Sequence, residues 1–445
     1  MKTSLFLSLS LFIFLAGCSP ENPDYYIRRD LEQEAPPKEH PKVKQEEDSP
    51  APVYPEPEVP KFPPLPEPKK MQKEEIKWIQ IMADPNQLEL NPKVDILFIE
   101  DNSGSMKEVQ ANLAKNINRF ASAFQQKIDF RVAVLSVWDS SAKFVNNPKR
   151  KYDIGELRRV REANGAQSEK RFLTRSMATP AALSATINIG IASSTEAMPE
   201  FEEIFSTLEA SIKRPENLNP NTGFFRPDAR LVVIMVSDAE DSTSKITPEQ
   251  LAQDLVDFKG GQAKMVSAYG VLVRKGDNDL YKDFDLKRHP NYHPECFDMT
   301  NPKNPVRLPN LCKEGFGPER LDQFIVAANS GEGTPEMIKS KFILKLVQPD
   351  FGKDLAQIGS SISEKTMEKE ILLDQRPRAY PNQPDRAMVK VFFGNVEIPE
   401  NDGWAYDPED NSVRLSGKIN YSKYSQDPKA RFRVELVPVT LDAGL

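Results

Sequence analysis

Four short apolar runs constrain this chain more than any other feature: residues 94–100 ("VDILFIE"), 130–138 ("FRVAVLSVW"), 230–237 ("RLVVIMVS") and 267–273 ("SAYGVLV"). Each is nearly continuous in apolar, β-branched side chains, the pattern of strands covered on both faces in a parallel sheet. Parallel strands need crossover connections, usually helical, and the segments between the runs have helical spacing. Val109, Leu113, Ile117, Phe120 and Phe124 recur at steps of three and four, which gives one buried stripe. Thr247-Pro248-Glu249 sets a hydroxyl cap and a first-turn proline ahead of Leu251, Leu255 and Phe258, all expected to face inward. A third helix is expected over about 196–213, burying Phe201, Ile204, Phe205, Leu208 and Ile212. The expected fold is α/β, a doubly wound and mainly parallel sheet, in which ligands sit beyond the carboxyl ends of the strands.

Two of the strands stop at an aspartate. After "VDILFIE" comes "DNSGSMK", so Asp101, Ser103 and Ser105 occupy the crest where the strand turns into a helix near Met106. A carboxylate and two hydroxyls at alternate positions are hard oxygen donors suited to a small divalent cation, with Gly104 easing the tight turn. "RLVVIMVSDAEDSTS" likewise stops at Asp238. Two strand ends carrying aspartate suggest a single site.

These residues resemble the metal-ion-dependent adhesion site of the von Willebrand factor A (VWA) family. Its pattern is Asp-x-Ser-x-Ser after the first strand, a threonine from a later loop and an aspartate after the fourth strand. Asp101, Ser103, Ser105 and Asp238 match it, and the resemblance covers about residues 93–370. For the threonine, Thr195 in "GIASSTEAMPEF" is the choice and Thr179 in "SMATPAALSA" the alternative. The resemblance implies a bound magnesium ion, or manganese or calcium, and a protein partner whose Glu or Asp completes the ion's coordination. Glu100 departs from the usual apolar residue before the motif; strand alternation turns it off Asp101's face, as an ordinary solvated or paired carboxylate. Glu240 and Asp241 are expected in the outer shell or in solvent.

The chain's beginning supplies an address. Residues 1–17 hold a lysine, a short apolar stretch and small residues, the plan of a secretory signal and too short to span a bilayer. Leu15-Ala16-Gly17-Cys18 resembles the bacterial lipobox, which implies acylation of Cys18 and membrane anchoring; Ser19 after it favours the outer membrane, with the leaflet open. Residues 18–92 are then the lipidated N-terminus and a disordered linker, alternating proline with charge as in "PAPVYPEPEVPKFPPLPEPKK". Near polyproline II, some fifty residues of it reach on the order of 150 Å. The formal charge of −7 over 445 residues argues against general nucleic-acid binding.

Two insertions and a tail complete the chain. After Trp138 the sequence is basic, with Lys143, Lys149, Arg150, Lys151, Arg158, Arg159, Arg161, Lys170, Arg171 and Arg175; it could form a rim that attracts acidic partners or a plain solvated loop. The second insertion carries His289, His293, Cys296 and Cys312. His-x3-His spacing admits a zinc reading, but in an exported chain with Cys18 acylated, Cys296 and Cys312 most simply form a disulfide, worth roughly 3 kcal/mol for such a loop. Residues 371–445 lose helical spacing and read as a small antiparallel β domain. Trp404, Tyr406, Phe392 and Phe393 are expected to pack in it. An enzyme is the competing class: a strand ending in aspartate also resembles haloacid dehalogenase phosphatases, but Ser103 stands where they need a second acid.

Overall fold

The structure is a computed structural model describing residues 76–137, 152–191, 202–214, 219–274, 297–304, 306–308, 318–346, 351–427 and 429–439. These belong to one compact unit, Lys73–Leu445. Cys18, Thr195, Cys296 and Cys312, together with the signal segment and most of the linker, lie outside the described residues.

A short strand, β1 (Ile79–Gln80), and one helical turn, α1 (Pro85–Leu88), lead into β2 (Lys93–Glu100), whose last seven residues are buried. β2 feeds α2 (Lys107–Ser122) through a single 3-10 turn at Gly104–Met106. Leu113, Ile117, Phe120 and Phe124 are buried, and Val109 packs at their edge. Edge-on ring contacts carry that stripe into the sheet: Phe98 to Phe120 at 5.7 Å, then Phe120 to Phe124 at 5.2 Å. β3 (Asp129–Ser136) follows, then β4 (Leu173–Thr174), α3 (Pro180–Ile187), α4 (Ile204–Lys213) and β5 (Arg230–Ser237). The expected 196–213 helix is thus shorter: Glu202 instead makes a strand-like bridge to Asp241, so the helix starts after it.

α5 (Pro248–Phe258) is capped by the Thr247 hydroxyl, which accepts from the Gln250 amide at 3.1 Å. Leu251 and Leu255 are buried, but Phe258 is 39% exposed, because it ends the helix beside the Lys259 turn. β6 (Val266–Leu272), a small hairpin of β7 (Phe297–Asp298) and β8 (Val306–Arg307), α6 (Glu319–Ala328), α7 (Pro335–Phe342), β9 (Ile343–Lys345) and α8 (Phe351–Met367) complete this part.

The main sheet has the order β4-β3-β2-β5-β6-β9. All pairings are parallel except β3 with β4. The chain therefore winds outward from β2 in one direction to β3 and in the other to β5, β6 and β9. The switch point lies between β2 and β5, where doubly wound sheets place their ligands. At the opposite, amino end of these strands Arg226 locks the sheet: its backbone N–H and Nε donate to the buried Asp95 carboxylate at 2.7 and 2.8 Å, and Nη2 donates to the Val94 and Asp129 carbonyls at 3.0 Å.

The remaining strands are β10 (Lys369–Leu372), β11 (Ala379–Tyr380), β12 (Gln383–Ala387), β13 (Val389–Phe393), β14 (Val396–Ile398), β15 (Trp404–Asp407), β16 (Ser412–Leu415) and β17 (Phe432–Leu436). They form antiparallel sheets β1-β17-β13-β14 and β10-β16-β15 with the β11-β12 hairpin. Phe393, Tyr421 and Phe432 are packed ring on ring, and the Trp404 indole donates to the Ile398 carbonyl at 2.7 Å. Two boundaries move. Residues 76–92, expected in the linker, are built into the fold: Ile79 pairs with Leu436 and Ile81 is buried, because Ile79 and Ile81 flank Gln80 on one face and supply an outer strand. The β part also opens at Lys369, inside β10, two residues ahead of the expected boundary.

Candidate metal centre

The residues that end β2 and β5 are held by their own strands. Asp101 continues the ladder, its N–H donating to the Val236 carbonyl at 3.0 Å, and Glu100 stands opposite Val236, two residues before Asp238. The carboxylates therefore leave adjacent parallel strands at the same end of the sheet, at the switch point. Both residues are buried, at 1% and 2% exposure.

Asp101 is oriented before any ligand arrives. The Ser103 N–H donates to Oδ1 and the Ser237 hydroxyl to Oδ2, each at 2.8 Å. Ser103 Oγ and Ser105 Oγ lie 3.1 Å apart, with Ser103 buried and Ser105 exposed. In an octahedral ion with metal–oxygen distances of 2.0–2.1 Å, neighbouring ligands stand about 2.9 Å apart, so the hydroxyl pair has the spacing of two adjacent ligands. Among the described residues no group of three or more His, Cys, Asp or Glu could hold a metal; the donors here are two carboxylates and neutral hydroxyls. Those donors fit a hard divalent cation. Gly104 contributes less than expected: its φ is not positive, and a Cβ there would meet nothing within 4 Å.

Three supports were not foreseen from the sequence. Gln110 is 1% exposed on the inner stripe of α2; its Nε2 donates to the Asp101 carbonyl at 2.9 Å, and its Oε1 accepts from the Gly190 N–H at 2.9 Å. Ser136 Oγ donates to Asn102 Oδ1 at 2.9 Å, bracing the loop from β3. Ser237 is the third. Each is a polar residue at a position where the pattern demands an apolar one, which was the available signal.

Of the two threonines, Thr179 caps α3: its exposed side chain accepts from the Ala182 N–H at 3.2 Å. That employs it structurally. Thr195 lies outside the described residues, but the chain on either side of its segment is tied to this site. Gly190 is joined to Asp101 through Gln110, and the Glu202 carbonyl accepts from both N–H and Oγ of Ser242, at 2.7 Å each.

The neighbouring acids differ from expectation. Glu240 and Asp241 are 7% and 0% exposed rather than solvated. Asp241 Oδ1 accepts from the Phe205 N–H at the start of α4, at 3.0 Å, and Oδ2 from Arg320 Nε and Nη2 at 3.3 and 3.2 Å. Glu240 accepts from the Arg320 and Asp241 amides, both at 2.9 Å. The loop after β5 is thereby bolted to the starts of α4 and α6. Burial pushes the Asp241 carboxyl up to about 6 despite these donors. Glu100 is 0% exposed, and neither carboxylate oxygen has a hydrogen-bond partner among the described residues. Its alternation off Asp101's face leads into the interior and not to water, so desolvation pushes its pKa well above the carboxylate range, weakly opposed by Arg158.

The basic insertion divides where it is described: Arg158 acts on Glu100, beside Asp101, while others are engaged elsewhere. Arg175 donates to the Gln125 and Ile128 carbonyls at 3.0 and 2.8 Å, near the start of β3 and away from the metal loops. Arg171 pairs with the buried Glu156, and Arg159 with Glu169 at 3.1 Å. Lys143, Lys149, Arg150 and Lys151 lie outside the described residues.

No protein-family model matches the chain, and no curated protein matches it. Among solved structures it is similar to proximal thread matrix protein 1 from the mussel byssus, at 12% identity and a TM-score of 0.32, over 64% of this chain and 51% of that one. A further form of that mussel protein has a zinc-occupied MIDAS motif. A von Willebrand factor type A structure from Catenulispora acidiphila matches at 12% identity and TM-score 0.32, over 78% of this chain and 59% of that one. The pilus adhesin SpaC from Lactobacillus rhamnosus GG matches at 10% and 0.34, over 81% and 40%. This chain spans about half the length of the mussel protein.

Proposed function

We propose that this chain is a VWA-type binding protein of the cell envelope, and that it holds a divalent cation, magnesium first and manganese or calcium as alternatives, through Asp101, Ser103, Ser105, Asp238 and Thr195. The observation that carries this reading is the pair of buried aspartates at the carboxyl ends of the two strands flanking the switch point, with one carboxylate already oriented by Ser103 and Ser237. When bound, the ion supplies Lewis acidity toward an incoming oxygen ligand. The chain's own residues orient the donors and keep the set low in charge: two carboxylates and neutral hydroxyls. A carboxylate from an extracytoplasmic partner protein is the ligand such a set favours. Thr195 is included because its segment departs from and returns to anchors beside Asp101 and Ser242.

Export, acylation at Cys18, an outer-membrane address and a Cys296–Cys312 disulfide belong to the same proposal and rest on the sequence patterns. Among the described residues no helix is long and apolar enough to cross a membrane. The role proposed is binding and adhesion rather than catalysis, because two carboxylates and neutral hydroxyls are the donor set of an ion-mediated contact. A structural tether, its loops held by the Arg320 and Gln110 networks and its metal site without a ligand-binding role, is the second reading. Capture from envelope extracts in magnesium and in EDTA separates them. A partner retained only in magnesium is the expected result, and one retained equally in EDTA would leave the tether.

A further inference from the structure

At the amino end of the sheet, away from the metal loops, a cleft of about 940 Å³ opens between the α/β part and β10, β15 and β16. Its volume is in the range of small-molecule sites. Six cations line it: Lys93, Arg230, Lys264, Lys365, Lys369 and Arg414. Four of them are committed. Lys93 pairs with Asp228, Lys264 with Glu370 at 3.3 Å, Lys365 with Glu332 at 2.6 Å, and Arg414 with Asp407 at 2.8 Å.

Two are not. Arg230 donates from Nη2 to the Lys365 carbonyl at 3.1 Å, and Lys369 donates from Nζ to the Asn86 carbonyl at 3.1 Å. Among the described residues neither has a carboxylate within ion-pair distance, and both are only partly exposed. Glu368 and Glu332 act on Arg230, and Glu89 and Asp84 on Lys369, only at longer range, and burial pulls both charged groups below their ordinary pKa. A half-buried cation satisfied by one carbonyl is costly unless a counter-charge completes it. The planar fork of an arginine, with donors left toward an open cleft, matches the two oxygens of a carboxylate or phosphate.

We propose that this cleft is a second binding site, for a small organic oxyanion whose carboxylate or phosphate group is held by Arg230 and Lys369. Glu368 stands on the rim as the like charge that sets the site's affinity, and the site works independently of the metal loops at the other end of the sheet.

The test is calorimetric titration of the full-length protein with inorganic phosphate and, separately, acetate, at constant ionic strength and in EDTA. Saturable uptake of one of them is expected, and which one saturates tells phosphate from carboxylate recognition. Arg230→Met should weaken it at least about tenfold, the loss of one charge-assisted pair. Glu368→Gln, at an exposed position, should strengthen it roughly two- to fivefold by removing a like charge. Lys369→Met serves if the arginine variant does not fold, with the same direction expected. Absence of saturation by either anion, or uptake unchanged in the arginine, lysine and glutamate variants alike, overturns the proposal.

Discussion

Replacing Arg320 with methionine should expose how the loop after β5 is held. The guanidinium makes four hydrogen bonds: Nε and Nη2 to Asp241 Oδ2 at 3.3 and 3.2 Å, and Nη2 to the Thr243 and Ile246 carbonyls at 2.8 and 2.6 Å. Methionine keeps the packing against Phe205, over which the guanidinium lies at 5.1 Å, and removes only the charge and the donors. Asp241, 0% exposed, would then face its carboxylate with the neutral donors of Phe205 and Thr243 alone. Removing one member of a buried ion pair costs about 3–5 kcal/mol, and losing the two carbonyl contacts alone about 1–3 kcal/mol.

The pH dependence separates these contributions. Asp241's folded pKa, about 6, is raised above the ordinary value of 3.8, so its contribution to stability is complete below about 4 and is lost as pH rises through 6. Without Arg320 the carboxyl is pushed higher still, and the variant loses more above that window than the wild type does. Urea unfolding in EDTA should therefore show a deficit of about 3–5 kcal/mol at pH 7.5 that shrinks to about 1–3 kcal/mol near pH 4.5. A deficit equal at both pH values, or below about 1 kcal/mol at pH 7.5, would refute the view that a buried charge pair bolts this loop down.

Glu100→Met should stabilise the protein, since it replaces a buried carboxyl that has no hydrogen-bond partner among the described residues by an apolar group; because the carboxyl's folded pKa is raised, the gain in thermal midpoint should grow with pH, and a destabilised variant would contradict this. Gln110→Met cuts the link from the Asp101 carbonyl to the Gly190 N–H; it should lower stability by about 1–3 kcal/mol and weaken metal uptake measured by calorimetry, whereas unchanged uptake would make Gln110 a packing residue only. A Cβ on Gly417 would lie 1.6 Å from the Glu364 carbonyl oxygen of α8. Gly417→Ala should therefore force β16's following turn off that helix at a cost of about 1–3 kcal/mol or more, read as a lower urea midpoint; wild-type stability would mean the contact is readily relaxed.

The strands were legible because their apolar runs are long, β-branched and doubly covered. The run expected at 230–237 is β5 itself, and the other three differ by one or two residues. That Asp101 and Asp238 follow directly on the ends of β2 and β5 was legible because the apolar runs stop there, and strand ends in such a sheet are where polar residues can leave the core. What was not legible depends on contacts far apart in sequence. Ile79 reaches across more than three hundred residues to Leu436, so its stretch reads as linker until its partner is seen. Asp241 and Glu240 look like solvated acids in "DAEDS", but α4 and α6 bring their starts to this loop and supply the amides and the guanidinium that bury them. Glu100 reads as exposed by alternation alone; alternation gives the face, and only tertiary packing shows that this face is covered.

The most direct measurement is a calorimetric titration of metal-stripped, full-length protein with magnesium, repeated with Asp101→Ala and Asp238→Ala. One saturable site in the wild type, lost in the first variant and lost or strongly weakened in the second while both stay folded, is the expected result. Uptake unaffected by either substitution, or no saturable uptake in the wild type of magnesium, manganese or calcium, would contradict a shared ion at the tips of β2 and β5.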